Sequence, residues 1–150
     1  MARFTQGTVL TSALIENHFD LADASEGRIT DDHVHRIEIA NARVDESETY
    51  LCMPRRLIEQ LALDKAGRGR DRTPAGTVTF PTYGPVRLTV QDRHCHVDVK
   101  EVAENRGVLL GFVVLGMLDL VVDPEGQELI GNPDHDGKFM IDLYHQEICD

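Results

Sequence analysis

Hydrophobic and polar residues alternate along most of this chain, which is the pattern of strands that bury one face. The clearest case is residues 94–102, where Val97 and Val99 lie on the face opposite His96. Further strands are predicted at residues 8–15, 33–44, 49–53, 77–80, 86–90, 120–122, 128–130 and 138–144. So many short strands in 150 residues predict an all-β fold with one or two short helices, closed or nearly closed into a barrel.

Two segments depart from this alternation and predict helices. Pro54 can open a helix, since its missing N–H costs nothing at the first helical position. Leu57, Ile58 and Leu61 then share one face, so this helix should pack on the sheet. A second, shorter helix is predicted at Phe112–Leu118.

The polar segments between these elements predict connections inside one domain of residues 1–150. Residues 1–36 should form an N-terminal strand and a long hairpin connection, 37–133 the core, and 134–150 a C-terminal strand and tail. Residues 66–76, rich in Gly and Arg, predict a mobile loop. Pro81 and Tyr83-Gly84-Pro85 predict a kink or turn between two strands.

A formal net charge of -11 argues against a nucleic-acid partner, because phosphates require clustered Lys and Arg. The exception is the basic group Lys65, Arg68, Arg70 and Arg72 in the predicted loop. A solvated loop that offsets neighbouring acids is the favoured interpretation, and its arginines are expected to shield Glu46 and Glu48 when the loop closes. The longest apolar run, residues 108–118, is too short to span a bilayer, so no membrane association is expected.

Three widely spaced cysteines, Cys52, Cys95 and Cys149, form no Cys-x-x-Cys pair and favour neither a zinc ribbon nor a disulfide framework. With no charged N-terminal segment followed by an apolar run, a reducing cytoplasmic location is expected. A cysteine nucleophile is rejected, because only Cys95 has histidine neighbours and adjacent strand residues point to opposite faces.

The candidate chemistry lies in motifs at the two ends of the core. Val44-Asp45-Glu46-Ser47-Glu48 leads into a short strand and Pro54, and Leu109-Leu110-Gly111 follows much later. Leu120-Val121-Val122-Asp123 and Asn132-Pro133 complete the pattern. In this order the motifs resemble the bacterial retropepsin-like aspartic proteases, small relatives of retroviral protease, over residues 37–133.

This resemblance implies a retropepsin-like barrel, with Leu109-Leu110-Gly111 packed beneath the loop that carries Asp45. It also implies a homodimer, because the mechanism needs two aspartates that share one proton and the chain supplies only one such loop. Asp45 would then be the catalytic residue of each subunit. No cofactor is expected.

The departure from the family concerns activity. The family's Thr and Gly after the aspartate are replaced by Glu46 and Ser47, which removes a cross-axis hydroxyl donor and a flexible backbone position. With Glu48, the loop carries three carboxylates, which need protons, a cation or arginines to offset their repulsion. The sequence therefore favours a non-catalytic homodimer that binds a peptide or protein, with Glu46, Ser47 and Glu48 as candidate binding residues. An active aspartic endopeptidase that uses Asp45 is the alternative.

Two His-x-His pairs leave a metal-binding β-domain as a second alternative. His33 and His35, like His94 and His96, are two residues apart and would project from one face of a strand. This is a known ligand spacing.

Overall fold

The computed structural model describes residues 8–139, whose secondary structure is mostly β. The strands are β1 Leu10–Asn17, β2 Arg36–Val44, β3 Leu51–Pro54, β4 Lys65–Thr73, β5 Gly76–Val90, β6 Arg93–Val102, β7 Leu109–Leu110, β8 Leu120–Asp123 and β9 Glu128–Gly131. The helices are α1 His18–Ser25, α2 Arg55–Gln60 and α3 Phe112–Leu118, with short 3-10 turns at Asp31–His33, Glu104–Arg106 and Pro133–His135.

Seven of the strands form one mixed sheet in the order β1-β2-β7-β3-β6-β5-β4. A further pairing between β1 and the second half of β5 joins the sheet to itself. Six strands therefore form a closed ring of pairings, and only the hairpin of β4 with the first half of β5 projects from it. The pair β8–β9 forms a separate hairpin.

The core fills the inside of this ring, as the alternating pattern predicts. Along β6, Cys95 and Val99 are buried, whereas His94 and His96 are exposed. The α2 helix closes one side of the core with three buried side chains, Leu57, Ile58 and Leu61. Pro54 stands immediately before this helix, so the predicted helix start is confirmed.

The predicted long connection after the first strand does join two antiparallel strands, β1 and β2, but the sequence did not predict that α1 and a 3-10 turn lie within it. None of the side chains of α1 is buried, which explains why no apolar stripe marked this helix. Asn17 holds its start: the side chain accepts a hydrogen bond from the N–H of Asp20 and donates one of 3.0 Å to the carbonyl of Leu61. The helix therefore depends on a cap and on α2 rather than on an apolar face.

The predicted loop at residues 66–76 is wrong, and so is the division into two strands, although a register shift lies at Tyr83-Gly84-Pro85, where a kink was predicted. Residues 65–73 form β4, and residues 76–90 form one continuous strand whose register shifts between Tyr83 and Val86. Pro81 pairs with Arg68 of the projecting hairpin, beyond the closed ring, where the pairing tolerates a missing N–H.

Residues 112–131 follow the prediction closely. α3 spans the predicted residues, and β8 and β9 form the predicted hairpin. The predicted strand at residues 138–144 lies outside the described residues apart from its first two positions. Among the described residues, no helix is long and apolar enough to cross a membrane.

Candidate functional site at the Asp45 loop

Asp45 directly follows β2, which pairs in parallel with β7 at Val44 and Leu110. The backbone N–H of Asp45 donates a hydrogen bond of 3.0 Å to the carbonyl of Leu110. The N–H of Glu48 donates one of 3.1 Å to the Asp45 carbonyl, which closes a tight turn. The expected packing of Leu109-Leu110-Gly111 against this loop is therefore confirmed.

Gly111 explains why that motif ends in glycine. Its N–H donates a hydrogen bond of 3.0 Å to the carbonyl of Tyr50, and the next N–H, of Phe112, donates one of 2.9 Å to the carbonyl of Glu48. A Cβ at position 111 would lie 2.5 Å from the carbonyl carbon of Thr49 and 2.6 Å from the backbone nitrogen and oxygen of Tyr50. The start of α3 can contact the loop this closely only without a side chain.

The Asp45 carboxylate is occupied by groups of its own chain. Oδ1 accepts hydrogen bonds from the N–H of Ser47 at 3.1 Å and from the Ser47 hydroxyl. Oδ2 lies 3.2 Å from Nη2 of Arg106 and 4.0 Å from Nη2 of Arg43. The Ser47 hydroxyl and N–H, together with the two guanidinium charges, outweigh partial burial and hold the pKa of Asp45 below its usual value.

Glu48 shares the same arginine. Its carboxylate lies 2.8 Å from Nη1 of Arg106 and 3.2 Å from Nζ of Lys100. Burial raises the pKa of Glu48, but hydrogen bonds and positive charge from Arg106 and Lys100 more than offset this, so its pKa lies below the usual value. Lys100 also contacts Asp71 of the hairpin at 2.6 Å. We call Asp45, Glu48, Asp71, Lys100 and Arg106 the charge network.

This network corrects one sequence-based expectation. Three side chains on β4, Arg68, Arg70 and Arg72, were expected to shield the loop carboxylates. Within residues 8–139 they make no ion pair, and Lys100 and Arg106 neutralise the loop instead. The turn of Glu104–Arg106 and strand β6 thus supply the compensating charge.

Glu46 and Ser47 occupy the exposed tip of the turn. Glu46 lines a cavity of about 470 Å³ with Asp45 and Arg43, and a second cavity of about 440 Å³ with Phe112 and Leu115. Of the three candidate binding residues, Glu46 therefore faces open space on two sides. Ser47 is engaged with Asp45, and Glu48 is half-buried in the charge network.

The projecting hairpin lies against the residues that follow this loop. The Tyr50 hydroxyl and the backbone N–H and carbonyl of Arg70 are hydrogen-bonded at 3.3 Å. The ring of Phe80 meets the Tyr50 ring edge-on at 5.3 Å between centroids. A Cβ on Gly69 would lie 2.5 Å from that Phe80 ring, so β4 approaches the ring closely. The hairpin is thus attached to the site through Tyr50 as well as through Lys100.

The two histidine pairs differ in how the fold places them. His33 lies in a 3-10 turn and His35 precedes β2, where its ring is 2.7 Å from the Asp20 carboxylate, so this pair is not borne on a strand. His94 and His96 do share the exposed face of β6, with ring centroids 6.0 Å apart, and His18 approaches His96 at 4.8 Å. In the described part of the chain, no three His, Cys, Asp or Glu residues are placed to hold a metal ion.

The buried cysteines are poorly suited to nucleophilic chemistry. Burial raises the pKa of Cys52 to about 12, and the neighbouring Glu48 carboxylate adds to this. Burial also raises the pKa of Cys95 to about 11. Both thiols are therefore protonated at neutral pH, in line with the rejection of a cysteine enzyme.

Sequence reasoning missed two important residues of the site. Arg106 lies in the 3-10 turn Glu104–Arg106, and its guanidinium reaches the Asp45 carboxylate, 61 positions earlier. Lys100 lies on β6, and its ammonium reaches the Glu48 carboxylate, 52 positions earlier. The only signal in the sequence was indirect, because three adjacent carboxylates require compensating cations.

Comparison with known proteins adds no family to this description. A scan against protein-family models finds no match, and a search of curated proteins finds none either. The retropepsin resemblance therefore stays a prediction that rests on the motifs and on the packing of Leu110 and Gly111 against the Asp45 loop.

Proposed function

We propose that this chain is a non-catalytic relative of retropepsin-like proteases that forms a homodimer and binds a peptide or protein beside the Asp45 loop. The observation that carries the proposal is the occupied Asp45 carboxylate, with Ser47 on one oxygen and Arg106 on the other. The closed ring of strands, the contact of Leu110 with Asp45 and the hairpin above the site support the retropepsin-like part of the proposal.

Aspartic protease chemistry needs a different arrangement of protons. Two carboxyl groups must come close enough for one proton to be shared, so that one group activates water while the other donates to the substrate carbonyl. Arg106 favours the ionised form of both Asp45 and Glu48, because it places positive charge beside both carboxylates. A guanidinium at this position also competes for the oxygen that would bind the water molecule. The loop is therefore better suited to holding charge in place than to moving a proton.

The α3 helix supports the homodimer. Its inner face buries Val114, Leu115 and Leu118, yet its outer face exposes Phe112, Val113 and Met117 with relative exposures of 54%, 43% and 42%. A helix that is apolar on all sides is normally covered on all sides. This outer face begins next to Glu48, whose carbonyl accepts the N–H of Phe112, so a second copy seated there would bring the two Asp45 loops together.

Cleavage of unstructured peptides tests whether the site is catalytic. We expect purified protein to cleave none from acidic to neutral pH, because Ser47 and Arg106 keep Asp45 ionised and occupied. Restoring the family residues with Glu46→Thr and Ser47→Gly, together with Arg106→Leu, should create weak acidic cleavage that Asp45→Asn abolishes. The matched control is Arg56→Leu, which removes an exposed arginine from α2 and should create no cleavage.

The contrary result is slow cleavage by the unmodified protein that peaks at low pH and disappears in Asp45→Asn. That result would replace the binding role with the alternative function, an active aspartic endopeptidase with Asp45 from each subunit.

A further inference from the structure

One face of the projecting hairpin carries three arginines in a row. Arg68, Arg70 and Arg72 are all exposed and occupy alternate positions of β4, so their side chains leave the same face of the strand. Successive arginines on this face are about 6.8 Å apart, as expected for every second residue of a strand. We call this surface the arginine face.

The neighbouring strand adds no negative charge to this face. Directly opposite the three arginines, β5 places Pro81, Thr79 and Thr77, and all three are exposed. Opposite residues of an antiparallel pair share a face, so the arginine face consists of cations, two hydroxyl-bearing side chains and a proline. Its only acidic neighbour on β4, Asp71, points to the other side and binds Lys100.

The three arginine side chains have no role in holding the hairpin in place. No hydrogen bond or ion pair within residues 8–139 involves any of their guanidinium groups. The hairpin is attached to the rest of the protein through its opposite face, where Asp71 forms an ion pair with Lys100 and the Phe80 ring packs against the Tyr50 ring. Its backbone also contributes, since the N–H of Arg70 donates a hydrogen bond to the Tyr50 hydroxyl. The chain has a net charge of -11, yet this face gathers three arginines whose guanidinium groups form no ion pair within residues 8–139. Their positive charge is therefore not used to hold the fold together.

We propose that the arginine face binds an extended, acidic segment of a partner protein. Side chains at every second position of an extended peptide repeat at about 6.8 Å, so alternate Asp or Glu residues can meet all three guanidinium groups at once. Arginine suits this because its planar fork donates two parallel hydrogen bonds to a carboxylate. The hydroxyls of Thr77 and Thr79 lie across the ladder and can donate to the same carboxylates.

The charge of the rest of the chain favours a short acidic peptide over nucleic acid. A continuous phosphate backbone would extend beyond the hairpin into the field of a protein with net charge -11. A peptide segment with three or four carboxylates is short enough to contact only the arginine face, so its charges need not approach the acidic remainder of the protein. This proposal concerns the hairpin and does not depend on whether the Asp45 loop is catalytic.

Binding of a fluorescent peptide of alternating Glu and Thr, measured by anisotropy at low and physiological salt, tests this proposal. Wild-type protein should bind it, and an alternating Lys and Thr peptide should not bind. The triple variant Arg68→Gln, Arg70→Gln, Arg72→Gln should bind about tenfold or more weakly, since each exposed ion pair contributes about 0.2–1 kcal/mol, worth up to about fivefold. The affinity of wild-type protein should fall as salt rises.

The matched control is Arg28→Gln, Arg55→Gln, Arg56→Gln, which makes the same change in net charge. These arginines are as exposed, at 61%, 58% and 63%, and each contacts an acidic residue of its own chain. This control should stay within about twofold of wild type. Equal losses in the two triple variants, or no binding by wild-type protein at low salt, would overturn the proposal. A single-stranded oligonucleotide of equal charge that binds more tightly through the same arginines would also overturn it, in favour of a nucleic-acid partner.

Discussion

Gly111→Ala is expected to lower the free energy of unfolding by about 3 kcal/mol or more, because the added methyl group would overlap the backbone between Thr49 and Tyr50. A flexible side chain could move away from such a contact, but a backbone that is itself hydrogen-bonded to Gly111 cannot move without breaking the loop. Urea denaturation of the variant and the wild type, analysed for midpoint and slope, measures the loss.

Gly67→Ala in β4 is the matched control, at a position away from α3. A Cβ at position 67 would meet only the Thr82 hydroxyl oxygen, at an ordinary contact distance of 3.5 Å, and alanine is favoured over glycine inside a strand by about 0.5–1 kcal/mol. This variant should therefore be as stable as the wild type or slightly more stable. If Gly111→Ala were also neutral, the close contact between α3 and the Asp45 loop would be wrong, and with it the strongest structural support for the resemblance.

Met117→Lys should weaken the proposed homodimer by about 100-fold or more in dissociation constant, since a lysine on the apolar α3 face would be buried without a partner in both copies. Met117 is 42% exposed in the single chain, so the lysine costs the folded monomer little. Sedimentation over a range of concentrations measures the equilibrium, and circular dichroism checks that the variant is folded.

Phe19→Lys provides the comparison for Met117→Lys. Phe19 is the most exposed large hydrophobic side chain among the described residues, at 62%, and lies on α1 rather than α3. Introducing the same charge there should leave the dimer unchanged. Equal effects of both lysines would rule out the α3 interface. A wild-type protein that is a monomer at micromolar concentration would rule out both that interface and any mechanism that uses two aspartates.

The sequence predicted elements well where apolar residues follow a clear period. α2 and β6 are examples, because each buries apolar side chains along one face, such as Leu57 and Ile58 or Cys95 and Val99. Segments without buried side chains were missed. α1 buries none, although Asn17 before it and Asp20 in its first turn form a cap that could have indicated a helix start. β4 is polar throughout and exists because it pairs with β5.

The site was predictable in its local part only. The position of Asp45 at a strand end and its contact with Leu110 followed from motifs that are each a few residues long. The partners of the Asp45 carboxylate could not be predicted from these motifs, because Arg106 belongs to a turn distant in sequence and only the fold brings it near Asp45. The need for compensating charge was foreseen, but the arginines of β4 were chosen because they cluster in sequence. Lys100 and Arg106, the cations that do contact the loop carboxylates, have no basic residues next to them in the sequence.

The central claim is that Asp45 is held as a carboxylate by its own chain and shares no proton. Carboxyl carbon chemical shifts of Asp45, followed by NMR against pH in the purified protein, test this directly. We expect one titration step below the usual value of 3.8, since Ser47 and Arg106 lower the pKa of Asp45. Their stabilising effect should be present above the unfolded pKa and disappear as pH falls through the lower folded pKa. Two steps, one of them above the usual value, would indicate a proton shared between two Asp45 carboxyl groups and would contradict the account.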